Sequence, residues 1–223
     1  MDTKTDYKEF VAEISTRGIR NLLHFTRFEN ITAIVGEGKI LPRNQLHNIA
    51  FEWRELATPN YDSRRDNPSY INTSITHPNV YLLNHSNSQR PGRFCIIGIE
   101  PRYIYEQNTK FSITNATYEP AINFGINDKF TTFQALFGAK VEGQFNRNTK
   151  QREKLTRSIS LPEYYTTDPQ AEVLIRCEIT YNDFIFIACR NQFEYDVLAS
   201  AFDVLELPTE KLCVQPTLFE SRQ

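Results

Sequence analysis

Between Tyr7 and Arg17 the apolar residues Phe10, Val11 and Ile14 recur at helical spacing, and Gly18 follows as a terminator. That spacing predicts a helix. Ile19–Thr26, IRNLLHFT, reads as a strand or as a helix end running into one. Phe28, Ile31, Ile34 and Val35 again fall at helical offsets, the GEG at 36–38 stops the run, and KILP predicts a short strand. From Arg43 to Asn79 the chain is polar and irregular, broken by Pro59, Pro68 and Pro78. A connection of that length inside a domain is functional or disordered. RFCIIGIEP, Arg93–Pro101, predicts a buried strand, and Phe130–Ala139 a short helix. The basic stretch Phe145–Arg157 reads as loop or weak helix. Glu172–Ile179 and Phe184–Cys189 are predicted as two strands of a hairpin turning at TYND. Gln192–Leu205 has an amphipathic helical pattern, and KLCV predicts a last strand.

No repeat, low-complexity tract or linker divides this pattern, so a single domain over residues 1–223 is expected. Its class is α+β, because regular strand–helix–strand alternation is missing. The composition, 40% hydrophobic and 23% charged, fits a packed core. The net charge of −2 assigns any nucleic-acid contact to a local patch rather than to the overall field. No apolar run approaches the roughly 18 residues of a membrane span, and the polar start MDTKTDYKEF holds no signal-peptide core. A cytoplasmic protein without membrane contact is expected. The four cysteines lie in or beside apolar runs without C-x-x-C spacing, which predicts free thiols and no metal site.

Four groups of residues are suited to chemistry. At the mouth of a predicted strand, Gln170 and Glu172 are two apart, so alternation would put both on one face. Read alone, Glu172 is either a solvated strand-start residue or one half of a Q-x-E pair aimed into a cleft. In a cleft, a carboxylate accepts ribose hydroxyls and favours positive charge on a sugar carbon, and an amide offers a donor and an acceptor to a base edge. His24 and Thr26 alternate on another strand, placed to bind a ribose hydroxyl and a carboxamide. In DSRRDNPSYINTSI, Arg64 or Arg65 suits a pyrophosphate clamp, and Ser74 suits a ribose contact or support of the sheet. Before Glu172, Arg147, Lys150, Arg152, Lys154 and Arg157 form a basic stretch. It is either a solvated face or a phosphate-tracking patch, with Phe145, Tyr164 and Tyr165 for base stacking. G-x-G-x-x-G and P-loop patterns do not occur, which removes Rossmann and P-loop readings.

The order His24-Phe25-Thr26, the helix-plus-glycine stretch to Gly38, Arg64-Arg65-Asp66, SITHPN and then Gln170-Ala171-Glu172 resembles the DarT-like ADP-ribosyltransferases, from about residue 20 to about 180. The resemblance implies an ADP-ribosyltransferase fold, with a split mixed or antiparallel sheet flanked by helices. It also implies a toxin that uses NAD, without a metal, to modify a base in single-stranded DNA. RNA is the neighbouring possibility as acceptor, and a non-catalytic NAD, ADP-ribose or nucleic-acid binding module is a further one. By the same resemblance Glu172 and Arg64 are catalytic, and His24, Phe25, Thr26, Leu41, Arg65 and Ser74 hold NAD. The segment from Phe124 to Gln170, with Arg147, Lys150, Arg152 and Lys154, meets the acceptor. Gln170 leans the expected base toward guanine, with thymine as the other possibility. A cognate antitoxin and a part in phage defence are implied as well.

Overall fold

The computed structural model describes residues 2–50, 67–117, 125–146 and 151–222. Helix α1 (Tyr7–Arg17) buries Phe10 and Ile14 and ends where Gly18 turns left-handed at φ 68°, its N–H bonding the Ser15 carbonyl. Strand β1 (Leu22–Arg27) runs directly into α2 (Phe28–Gly36), and Gly38, at φ 74°, turns the chain into β2 (Lys39–Ile40). Two elements then lie where the sequence reads as irregular or unassigned: β3 (Ile71–Ile75) and helix α3 (Val80–Gln89). INTSI has only two apolar residues, which hides β3. Helix α3 begins at a cap, with the Asn79 side chain accepting the Leu82 N–H at 3.0 Å, but its stripe of Val80, Leu83 and Ser86 is too thin to read as a period.

Strands β4 (Phe94–Ile99) and β5 (Lys110–Ser112), helix α4 (Phe130–Ala135), and strands β6 (Lys140–Asn146) and β7 (Gln151–Thr156) follow. The basic stretch read as loop or weak helix is largely the second half of a β-hairpin. Backbone pairing forms it, and Val141 faces Leu155 across the ladder, with a bulge between Glu142 and Phe145. Strand β8 (Glu172–Ile175) is shorter than expected and does not form a hairpin with β10 (Phe184–Cys189). Between them, β9 (Ile179–Thr180) leaves to pair with β2, and residues 181–183 make a 3₁₀ turn. Helix α5 (Gln192–Val204), β11 (Leu212–Val214) and a 3₁₀ turn at Pro216–Phe219 complete the described elements.

Among the described residues seven strands form one sheet in the order β11-β10-β4-β1-β3-β8-β5. It is antiparallel except for the parallel β10–β11 pair. The sheet is nearly two. β1 pairs with β4 along its full length, from Leu22 opposite Ile99 to Arg27 opposite Phe94, but with β3 only at Leu22–Ile75 and Leu23–Ser74. β3 then pairs with β8 through Ile71–Ile175, Asn72–Leu174 and Thr73–Val173, and β8 with β5. This is the split mixed sheet of the expected fold. Alternating residues feed cores on both faces: Leu22, Ile97 and Ile99 on one, Leu23, Phe94 and Ile96 on the other. Burial on both sides explains the unbroken apolar run of β4.

Phe10, Phe111 and Phe133, all fully buried, tie α1, β5 and α4 together, with ring centroids 5.3–5.7 Å apart. Truncating Phe111 leaves a cavity between rings that cannot close it. Phe111→Ala is expected to cost about 3–5 kcal/mol, measured by urea unfolding with an unchanged denaturant slope.

Candidate active site

Where β1 and β3 part, a cavity of about 490 Å³ opens. Its walls bring together six residues singled out from the sequence: His24, Phe25 and Thr26 from β1, Leu41 beyond β2, Ser74 from β3 and Glu172 from the first position of β8. They come from segments separated by up to 148 positions, and the seam of the split sheet is what gathers them.

Glu172 is 3% exposed, so it is not a solvated strand end. Its Oε2 accepts the Asn72 side-chain N–H at 3.2 Å and the Ala116 backbone N–H at 2.9 Å. A buried carboxylate needs such donors to keep its charge. Asn72 is also the acceptor for His24, whose Nδ1 lies 2.9 Å from the Asn72 carbonyl oxygen. A carbonyl only accepts, so His24 carries its proton on Nδ1, and Nε2 is the acceptor in the neutral ring. Burial pushes the His24 imidazole below its ordinary 6.5, against the smaller opposing effect of the Asn72 bond. Its remaining exposure is toward the cavity. Thr26 is buried, and its hydroxyl accepts from the Asn30 amide at 3.2 Å.

Asn72, Asn30 and Arg43 also line the cavity and were not singled out from the sequence. Asn72 is two residues before Ser74, and alternation along β3 puts both on one face, a signal that was lost because the segment reads as irregular. Arg43 opens a 3₁₀ turn after Pro42 and brings a guanidinium to the wall formed by Leu41. Nothing in the local pattern signals it.

Gln170 does not share a strand face with Glu172. The strand begins at Glu172, and Gln170 is buried in the turn before it, with its backbone N–H donating to Asp168 Oδ1 at 2.7 Å. Alternation therefore does not apply to the pair. Lys154 is exposed on β7, opposite Glu142. Arg152 pairs opposite Phe145 in the same ladder, and its side chain lies outside the described residues. Arg64, Arg65, Arg147 and Lys150 also lie outside them. Arg157 is committed to structure: its guanidinium donates to the Tyr165 and Pro162 carbonyls, both at 2.7 Å. Tyr165 is covered by Arg222, 4.9 Å from its ring, and by the edge of His77.

Among the described residues no group of three His, Cys, Asp or Glu is placed to hold a metal ion. No helix among them is long and apolar enough to cross a membrane. All four cysteines are free thiols.

The family model described as "ssDNA thymidine ADP-ribosyltransferase, DarT" matches residues 23–220. Comparison with curated proteins gives no match. Among solved structures the chain is similar to Thermus sp. 2.9 DarT in complex with carba-NAD+ (TM-score 0.53, 11% identity, covering 90% of this chain and 98% of that one). It is also similar to Thermus sp. 2.9 DarT in complex with ADP-ribosylated ssDNA (TM-score 0.53, 14% identity, 91% and 97% covered). Thermosipho africanus DarTG in complex with ADP-ribose matches with TM-score 0.55 and 12% identity, over 90% of this chain and 51% of that one. At these identities the likeness to the solved structures is one of fold.

His24 and His77 give the fold a pH dependence. Burial lowers both imidazoles from 6.5. The unfolded chain therefore binds more protons than the native one below that value, so their stabilisation is complete above pH 6.5 and is lost as pH falls below it. Thermal midpoints are expected to drop from pH 7 toward pH 5, and the drop to shrink in a His24→Gln/His77→Gln double variant.

Proposed function

The chain belongs to the DarT family of single-stranded DNA thymidine ADP-ribosyltransferases. From that premise we propose that it transfers the ADP-ribose of NAD to a thymine base of single-stranded DNA, with Glu172 as the catalytic carboxylate. The observation that carries the assignment is the buried Glu172 at the cavity wall, held by Asn72 and the Ala116 N–H. NAD is the co-substrate; it is the ligand in Thermus sp. 2.9 DarT in complex with NAD+, whose fold this chain shares.

In this mechanism the nicotinamide ribose rests against Glu172. The glycosidic bond breaks with its electron pair leaving on nicotinamide, and the sugar carbon gains oxocarbenium character. Glu172 stabilises that charge through the ribose hydroxyl. His24, with Nε2 as acceptor, and Thr26 orient the nicotinamide nucleoside. Arg64, with Arg65 beside it, holds the pyrophosphate. In thymidine one ring nitrogen is bonded to deoxyribose; the other forms the new bond to the sugar carbon and loses its proton, which Glu172 accepts. An unpaired base reaches the cavity without the few kcal/mol needed to leave a duplex stack. The β6–β7 hairpin, with Arg152 and Lys154 on β7, presents the acceptor strand to it, and Arg147 and Lys150 also contact that strand.

Bulky ADP-ribose on a base blocks pairing on the template, so such an activity is a toxin to the cell that makes it. A cognate antitoxin and a cytoplasmic site of action follow from that reading. The similarity to a DarTG chain is in keeping with it.

Glu172→Gln keeps the shape of the side chain and removes its charge. It is expected to lower transfer by about 10²–10³ with the thermal midpoint nearly unchanged. Asn72→Ala, which removes a donor from the same carboxylate, is expected to lower it by about tenfold. Both are measured by gel shift of an oligonucleotide incubated with NAD. Mass spectrometry of nucleosides from matched DNA and RNA oligonucleotides identifies the acceptor. ADP-ribosyl-thymidine from DNA is expected; an adduct on guanine, or on RNA alone, would replace the base or the polymer in this proposal.

A further inference from the structure

The turn that delivers Glu172 to the cavity is built around Asp168. This carboxylic acid is 1% exposed. Its Oδ1 accepts the Gln170 N–H at 2.7 Å, and its backbone carbonyl accepts from the Thr166 hydroxyl at 2.7 Å and the Ala171 N–H at 3.1 Å. Those bonds fix the chain up to the residue before Glu172. The lead-in is fastened as well. The Thr167 N–H bonds the Leu136 carbonyl and its hydroxyl bonds the Gly138 carbonyl, and Arg222 donates to the Thr166 carbonyl and hydroxyl.

The other oxygen of Asp168 meets the hairpin. A Cβ placed on Gly143 of β6 would lie 2.9 Å from Asp168 Oδ2 and 2.8 Å from Leu155 Cδ1. Gly143 falls within the hairpin's register shift, between Glu142 and Phe145. The bulge and the missing side chain together let the ribbon close directly onto the buried carboxyl. No group of the hairpin donates to Oδ2; the polar group beside the Asp168 carboxyl is the buried Thr114 hydroxyl. Nothing about folding the hairpin demands a carboxylic acid at that point, and burying one costs stability.

We propose that Asp168 is the positioning residue for Glu172, and that Gly143 is the point at which the acceptor-presenting hairpin bears on it. Asp168 touches no substrate. It acts through the Gln170 N–H and sets where Glu172 begins its strand, and the close contact at Gly143 registers the hairpin to that carboxylate. The inference rests on Glu172 being the catalytic group.

The test compares Asp168→Ala, Asp168→Asn and Gly143→Ala in the full chain. DNA transfer, nicotinamide release and thermal midpoint are measured for each. Misplacing a catalytic group by about 1 Å costs on the order of 10²-fold. Asp168→Ala is expected to lower kcat about 10- to 100-fold while KM for NAD stays near the parental value. Asp168→Asn, whose amide oxygen still accepts the Gln170 N–H, is expected to recover most of that loss. Gly143→Ala, which pushes on Oδ2 from the other side, is expected to lower kcat in the same way. Equal losses in the Ala and Asn variants, tracking only their folded fractions, would overturn the proposal. So would a rise in KM at unchanged kcat. Should Asp168→Ala fail to fold, Gly143→Ala decides, and parental kcat in it is the overturning result. A parent chain that releases nicotinamide yet leaves DNA unmodified sinks the acceptor reading alone, and the positioning role is then read from nicotinamide release.

Discussion

A strand that loses its neighbour partway along leaves backbone groups without ladder partners, and the molecule meets this constraint where β1 and β3 diverge. Past Leu23 and Ser74 the two strands no longer pair. The Asn72 carbonyl, facing the opening, takes the imidazole N–H of His24 instead. One bond therefore satisfies an exposed sheet edge, fixes the histidine tautomer and closes the inner wall of the cavity. The Asn72 side chain then reaches Glu172 on the next strand. The opening that makes room for a ligand and the network that lines it share one cause.

Because β1 is paired with β4 along its whole length and β3 is paired with β8, each lip of the seam is held by its own half-sheet. Neither lip depends on a ligand to keep its shape. Aromatic packing of Phe10, Phe111 and Phe133 braces the half containing Glu172, since Phe111 is on β5 beside β8. Donors aimed at developing charge are effective to the extent that they need not reorganise when the charge appears. Here the carboxylate is oriented by a backbone N–H and a side chain that is itself on a strand. Removing the braces would loosen the site without touching it.

The sequence displayed local patterns well and distant pairings poorly. Helices α1 and α5 and strand β4 were legible because each carries a periodic or continuous apolar signal. Strand β3 was hidden because two of its five residues supply its only large apolar side chains, and its stability comes from pairing on both sides. The hairpin of β6 and β7 was hidden for a related reason. Its residues are mostly polar, with Val141 opposite Leu155 as an apolar pair, and the ladder is made of backbone groups whose partners are 5 to 16 positions away. The supposed β8–β10 hairpin failed because proximity in sequence favoured it, while β9 was drawn off to β2. His24, Thr26, Ser74 and Glu172 were found as residue types suited to the chemistry. That they meet at one cavity follows from sheet order, which no local pattern records. Gln170 was misplaced by extending strand alternation to a residue ahead of the strand, which begins at Glu172.

The buried polar groups around β8 separate what folding requires from what the site requires. Ser112 is opposite Glu172 in the β5–β8 ladder and has a buried hydroxyl without a hydrogen-bond partner, and the Thr114 hydroxyl is buried beside the Asp168 carboxyl. Apolar residues of similar size would relieve those costs. A core optimised only for stability would contain them, as the opposite side of the same strand does with Val173 and Ile175. The polar residues are concentrated on the side and at the end of the strand where Glu172 emerges. The charged form of a carboxylate at 3% exposure is favoured by surrounding dipoles and penalised by hydrocarbon. The buried hydroxyls therefore have a physical rationale as local polarity around a charge. The weakness they introduce is offset by the uninterrupted apolar packing of β4 and the aromatic cluster.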